Sequence, residues 1–270
     1  MWKIKTRTYI IIAMSKKLII ANWKMNPSSA EEAAKIFSAA NKSAKGLKKV
    51  ETVICPPSVY LESLGHQMSK LELGAQDVFY QNGSNAHTGE VSAKMLKNLG
   101  VKYVIAGHSE RRAMGETDEV INKKITSALS AGLKVVFCVG EKERDLSGHY
   151  FAYLKDQLDK GLCGISSKML KNVIIVYEPV WAISGNPGAS PDDPQSTFKS
   201  ILLIKKWLVD FAGGEIGRNM PIIYGGSVDS QNAQEFLEKG GAGGLLVGRS
   251  SLNTQEFGKI LKITEEIKNQ

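Results

Sequence analysis

Residues 173–189 read VIIVYEPVWAISGNPGA, and the architecture of the whole chain follows from this stretch. Val173 to Tyr177 are all apolar or aromatic, the pattern of a short strand buried on both faces. Glu178 ends that strand, because Pro179 follows it and cannot donate to a sheet ladder. A carboxylate at the C-terminal end of a buried strand is partly desolvated, which favours its protonated form and suits a general base. A structural ion pair with a nearby Arg or Lys is the other reading of the same residue. Beyond it, Pro179-Val180-Trp181 is stiff, while Ser184, Gly185, Asn186, Pro187 and Gly188 are small or turn-forming, the build of a lid.

Similar apolar runs recur at nearly even intervals: 18–23, 53–55, 71–75, 103–106, 135–139, 222–224 and 245–247. Helical stretches lie between them. Ser28 and Glu31 form a capping box ahead of AAKIFSAANKSAK. Thr117 opens DEVINKKITSALSAG, which ends on a glycine stop. Asp193-Pro194 places an N-cap and a first-turn proline before TFKSILLIKKWLVDFAG. A last helix runs from about Thr254 to Ile267. Eight strand–helix units of about 31 residues each fit βα units. Strict alternation with doubly buried strands means an α/β fold with a parallel sheet covered by helices. An open doubly wound sheet satisfies the same pattern, but eight even units favour closure into a single (β/α)8 barrel. Active residues of such a barrel come from the C-terminal ends of several strands. No linker divides the chain, so residues 14–270 read as one catalytic domain.

The chain has 270 residues, 43% of them apolar, enough for one large core. Cys55, Cys138 and Cys163 are odd in number, widely spaced and without a C-x-x-C pair. This argues against a disulfide framework or zinc site and for a reducing compartment. The formal charge of +8 comes from scattered lysines and not from one block, which gives little support to nucleic-acid binding and fits a small anionic substrate. Residues 1–13 carry Lys3, Lys5 and Arg7 and no acids; the apolar run from Tyr9 to Met14 is too short for a signal-peptide core or a membrane span. Met14 reads as an initiator and residues 1–13 as an upstream extension.

Four other strand ends carry chemistry. On the first strand, Asn22 and Lys24 share one face, toward the barrel interior if Ala21 and Trp23 face the helices. A lysine aimed into a barrel mouth needs an anion to meet it; snorkelling to water is the alternative. After the fourth strand, His108 precedes Ser109, Glu110 and a helical turn, where the helix dipole favours neutral imidazole. Taken alone it fits a structural histidine equally well. His66, His87 and His149 have no such setting and read as surface residues. Tyr224-Gly225-Gly226-Ser227 and Gly248-Arg249-Ser250-Ser251 are glycine-rich turns after the seventh and eighth strands, where exposed backbone N–H groups make a phosphate cradle.

Four segments hold most of these pieces: ANWKMN at 21–26, TGEVSAKML with YVIAGHSERR between 88 and 112, YEPVWAI at 177–183 and YGGSV at 224–228. In order and content they closely resemble the triosephosphate isomerases, across essentially residues 14–270. The resemblance implies a TIM barrel that interconverts dihydroxyacetone phosphate and D-glyceraldehyde 3-phosphate. It implies Glu178 as the base, His108 as the electrophile that shuttles a proton, and Lys24 as the cation that stabilises the enediolate. Asn22, Lys24, Ser184, Ser227, Gly248 and Arg249 match substrate-binding positions, and Ser109 and Glu110 match supporting ones. Thr88 and Glu90 fall in a loop that, in the family, inserts into the partner subunit near Lys24, so the resemblance implies a homodimer. The family is cytoplasmic, needs no metal or organic cofactor, and uses neither nucleic acid nor membrane as a partner.

Two departures mark this chain. The family lid usually continues Ala-Ile into Gly-Thr-Gly, whereas here Ile183 is followed by Ser184-Gly185-Asn186-Pro187, which restricts the backbone and stiffens the far hinge. Arg249 stands where the family generally has a small residue; its guanidinium either swings to solvent or adds to the phosphate field. Two other functions fit parts of the pattern. A barrel aldolase would use Lys24 as a Schiff base, which needs a lysine desolvated in an apolar pocket. A catalytically retired barrel would not need Lys24, His108 and Glu178 together.

Overall fold

A computed structural model describes residues 16–67, 69–83, 86–145, 148–183 and 188–267. The N-terminal extension assigned to residues 1–13 lies outside them, as do Ser184, Gly185, Asn186 and Pro187 at the centre of the lid. Eight strands follow one another: β1 (Lys17–Asn22), β2 (Val50–Cys55), β3 (Glu72–Ala75), β4 (Tyr103–Ala106), β5 (Lys134–Val139), β6 (Val173–Tyr177), β7 (Ile222–Tyr224) and β8 (Gly244–Val247). All neighbours are parallel, and β1 pairs with both β2 and β8, so the sheet closes in the order β1 to β8. The open-sheet alternative is excluded by that last pairing, which sets Leu18 beside Gly244 and Ala21 beside Val247.

Alternation along the strands separates two cores. Leu18, Ile20, Val53, Tyr103, Ile105, Val136, Cys138, Ile174, Val176, Ile223 and Leu246 fill the barrel interior together with Cys55. Ile19, Ala21 and Trp23 face outward, packed with helix residues such as Phe37, Ile125, Leu158, Ile204 and Phe257. Each large aliphatic or phenylalanine side chain among them contributes about 1.5–3 kcal/mol when fully buried. On β3 the inward residue is Gly74, where a Cβ would lie 2.4 Å from Cys55 Sγ. That vacancy of side chain is taken by its neighbours, and the ring of Tyr103 from β4 is 1% exposed. At the foot of the barrel the Tyr103 hydroxyl donates to Glu51 Oε1 and accepts from Lys134 Nζ at 2.8 Å.

Helices cap as their sequences dictate, with one shift. Ser29, not Ser28, caps the helix Ala30–Ala44, accepting the Glu32 N–H at 3.2 Å. The doubled Ser-Ser and Glu-Glu pairs satisfy the capping motif in two registers, and the pattern alone does not separate them. Thr117 caps Asp118–Ser130, and Gly132 follows with φ +76°. Asp193 caps Pro194–Ala212 by accepting the Ser196 N–H at 2.9 Å. The last helix is Thr254–Glu266. Among the described residues no helix is long and apolar enough to cross a membrane.

Candidate active site

The C-terminal ends of the strands bring the sequence-assigned residues together. At the end of β1, Trp23 is fully buried and its N–H donates to Cys55 O at 3.1 Å, extending the ladder by one residue. The chain then turns at Lys24, whose φ of +53° makes it the one non-glycine residue with positive φ among those described. A left-handed backbone at such a residue costs roughly 1–2 kcal/mol. It is held by side chains: the Lys24 N–H donates to Asn22 Oδ1 at 3.0 Å, and Gln76 Nε2 donates to Lys24 O at 2.8 Å and to Cys55 O at 2.9 Å. The ammonium does not snorkel away. It lies 2.5 Å from Glu110 Oε1, across the barrel mouth.

His108 leaves β4 through Gly107 and caps the short helix Ser109–Ala113. Its Nδ1 accepts the Glu110 N–H at 3.3 Å, so the neutral ring carries its proton on Nε2. Nε2 is 3.1 Å from Glu178 Oε1. Glu178 is 3% exposed, and its partners are neighbours on that same turn. The Ser109 N–H donates to Oε2 at 2.9 Å and the Ser109 hydroxyl to Oε1 at 3.0 Å. Among the described residues no Arg or Lys pairs with Glu178, which removes the ion-pair reading. The loop after β5 passes so close that a Cβ on Gly140 would lie 1.7 Å from Glu178 O. Beneath the carboxylate, Cys138 has its thiol pushed up, by burial first and by the Glu178 charge second.

The turns after β7 and β8 complete the mouth. Ser250 Oγ donates to Val228 O at 2.7 Å and joins them. Ser227 Oγ donates to Ala182 O at 2.8 Å and so ties the first turn to the stem of the lid. Asn22, Lys24, His108, Glu110, Glu178, Ser227, Gly248 and Arg249 line one cavity of about 470 Å³. Ser109 stands behind the lining, and Ser184 lies outside the described residues. His66, His87 and His149 are exposed, away from this cavity.

Two residues escaped the sequence reading. Gln76 follows the end of β3 and braces Lys24, as above. Glu141 follows β5 and is 1% exposed; its Oε1 accepts from Arg144 Nη1 at 2.7 Å, Tyr177 Oη at 2.8 Å and Trp181 Nε1 at 3.0 Å. The Arg144 guanidinium also donates to Ser200 Oγ at 3.0 Å and Ser196 Oγ at 2.6 Å. The stem of the lid is thereby fastened to the helix Pro194–Ala212. Both residues carried the signal that marked Glu178 and His108, a polar group directly after a buried strand.

Comparison with known proteins agrees with this geometry. The family model for triosephosphate isomerase matches residues 17–264. The chain is 42% identical over 254 residues to the triosephosphate isomerase of Carboxydothermus hydrogenoformans, covering 92% of this chain and 99% of that one. It is 42% identical over 253 residues to that of Dictyoglomus thermophilum, covering 92% and 100%. With the triosephosphate isomerase of Leptospira biflexa it shares 42% identity over 256 residues, again covering 92% and 100%. A family model spanning all eight strands, and relatives matched over almost their whole length, place the chain among enzymes of one kind: it belongs to the triosephosphate isomerase family.

Proposed function

We propose that this isomerase interconverts dihydroxyacetone phosphate and D-glyceraldehyde 3-phosphate through an enediolate, with Glu178, His108 and Lys24 as its working groups. One observation carries the reading: the Glu178 carboxylate and His108 Nε2 meet at 3.1 Å in the cavity that Lys24 also lines. Glu178 is the base. To reach a substrate carbon its carboxylate exchanges the Ser109 hydroxyl for the C–H it attacks. Removing that proton sends negative charge onto the neighbouring oxygen. His108 donates its Nε2 proton to that oxygen and takes the hydroxyl proton from the other, while the protonated Glu178 returns its proton to the adjacent carbon, which moves the carbonyl along the triose. Lys24 faces the same charge; at about 4 Å and an effective dielectric near 20 the attraction is roughly 4 kcal/mol. Such donors act most strongly in a site closed to water, the role of the lid. The turns at Ser227 and Gly248–Arg249 hold the phosphate, with Asn22 beside Lys24.

An aldolase reading is less well supported. Lys24 sits against a carboxylate, the reverse of the apolar surroundings that activate a Schiff-base lysine. The test is a coupled assay with dihydroxyacetone phosphate comparing the wild type with Glu178→Gln. The expected loss is roughly 10²–10⁴-fold; an unchanged rate in the variant overturns the mechanism.

The assembly is proposed to be a homodimer. Met25 (93% exposed), Val59 (77%), Met95 (57%) and Met114 (73%) are four large apolar side chains left in water. Met25 and Met114 line a second cavity of about 450 Å³ that shares Asn22, Lys24, His108 and Glu110 with the first. The exposed loop at Thr88 and Glu90 is the segment proposed to fill the corresponding cavity of a partner, near its Lys24. Cys55, Cys138 and Cys163 are unpaired, which suits a cytoplasmic setting.

A further inference from the structure

The helices that follow β5 and β6, His149–Leu162 and Pro194–Ala212, pack side by side on the outside of the barrel. A groove of about 270 Å³ lies between them, with Leu154, Leu158 and Ile204 buried at its base and Phe151, Leu203 and Trp207 half-buried above. Phe211 is 39% exposed and stacks on Trp207, ring centroids 4.5 Å apart, so the apolar surface continues past the groove. Trp207 Nε1 donates to Asp159 Oδ1 at 3.0 Å, which satisfies the indole's one polar atom and leaves its ring as apolar surface.

The charges around the groove divide into two kinds. On the helix His149–Leu162 the i,i+4 pairs close on themselves, Lys155 with Asp159 and Lys160 with Asp156. On the helix Pro194–Ala212, Lys206 and Asp210 stand at the same spacing, line the groove and are exposed. Among the described residues neither has a hydrogen bond or ion pair. Leu203, Lys206, Trp207 and Asp210 follow the i, i+3, i+4, i+7 spacing of one helix face. A two-fold axis crossing that face between Lys206 and Asp210 lays it antiparallel on its own copy. Lys206 of each copy then meets Asp210 of the other, and the Trp207 rings meet near the axis, the self-complementary arrangement of an isologous contact. A foreign partner would have to carry its own acid and base at that spacing; a second copy has them by symmetry. The face is also free of the other proposed contact. Met25 and Val59 follow β1 and β2, which stand opposite β5 and β6 in the closed barrel.

We propose that this groove is a second self-association surface, through which copies of the chain meet around Trp207 with Lys206 and Asp210 paired across a two-fold axis. The inference stands apart from the isomerase reading. One helix face is a small contact, at the low end of interface sizes, so the association is weak: absent in dilute protein and formed as concentration rises.

Sedimentation from about 1 µM to about 1 mM protein tests it, with wild type, Lys206→Asp, Asp210→Lys and the double exchange Lys206→Asp/Asp210→Lys. The wild type is expected to double its dilute mass at the upper end. Each single variant sets like charges opposite each other at both contacts, which weakens the association about a hundredfold or more and abolishes the doubling. The double exchange restores it, because each cation again meets an acid. All four are expected to show the same dilute mass and the same turnover, since both side chains lie in water and outside the Glu178 cavity. A wild type of constant mass, single variants that associate like the wild type, or a double exchange that stays dissociated overturns the proposal.

Discussion

Lys205 offers a test of how a buried charge is carried beneath the catalytic face. It lies on the helix Pro194–Ala212, is 3% exposed, and caps the helix Gly214–Asn219 that leads into β7. Its ammonium donates to Met220 O at 2.6 Å, Arg218 O at 3.1 Å and Gly217 O at 3.4 Å. Burial lowers its pKa from 10.5 to about 8. A shift of that size corresponds to about 3 kcal/mol between the two protonation states. Because the folded pKa lies below the unfolded one, the unfolded chain binds more protons between pH 8 and 10.5, and stability rises with pH across that window. Below pH 8 the penalty is fully present and flat. Lys205→Met removes the charge but leaves three carbonyls without their donor, at roughly 1 kcal/mol each. Near pH 7 the two effects nearly cancel. By about pH 10.5 the wild type has shed its penalty and is more stable than the variant by about 3 kcal/mol. Denaturant midpoints at fixed protein concentration, taken at several pH values, measure that divergence, since other titrations are common to both proteins. Parallel curves from neutral to alkaline pH would refute the reasoning.

Three further outcomes follow from the site. Ser109→Ala removes the hydroxyl that donates to Glu178; stability is expected to fall by about 1–2 kcal/mol and kcat by several-fold with little change in KM, and unaltered kcat would show that this bond does not position the Glu178 carboxylate for the proposed reaction. Gly140→Ala places a methyl group where only 1.7 Å separates it from Glu178 O, so thermal melts should show a loss of about 3 kcal/mol or more; a melt like that of the wild type would contradict the close approach. Met114→Glu puts a carboxylate on a residue that is 73% exposed in the single chain, so the fold should persist while sedimentation shifts from the proposed dimer to monomer. A wild type that already sediments as a monomer removes the basis of that expectation.

The strands were legible because each is apolar on both faces, and the site because its residues directly follow them. Closure was not contained in any one strand; it lies in the pairing of β1 with β8, more than 200 positions apart in the chain. The turn at Lys24 was also hidden, since nothing in a lysine announces a left-handed backbone. It is imposed from outside, by Asn22 and by Gln76 reaching across from β3. Glu141 was missed for a related reason: three donors converge on it from separate segments, and its meaning is set by Arg144, Tyr177 and Trp181. Glu178 shows the converse. Its placement was clear, but pairing with an Arg or Lys stayed open until the turn after β4 was folded against it with Ser109 as its donor.

The Tyr103 side chain is buried at the foot of the barrel beside Gly74, and its hydroxyl is gripped between Glu51 and Lys134. Burial and the neighbouring Glu51 both raise its pKa, so the phenol keeps its proton and the grip is not loosened by mild alkali. The tyrosine acts as a stopper. Above it, Val136, Val176 and Leu246 are packed in the same buried apolar cluster, between the foot of the barrel and the end that carries Glu178. A ligand of the Glu178 cavity then enters and leaves at the C-terminal ends of the strands, away from the plugged foot, and arrivals and departures compete for that face.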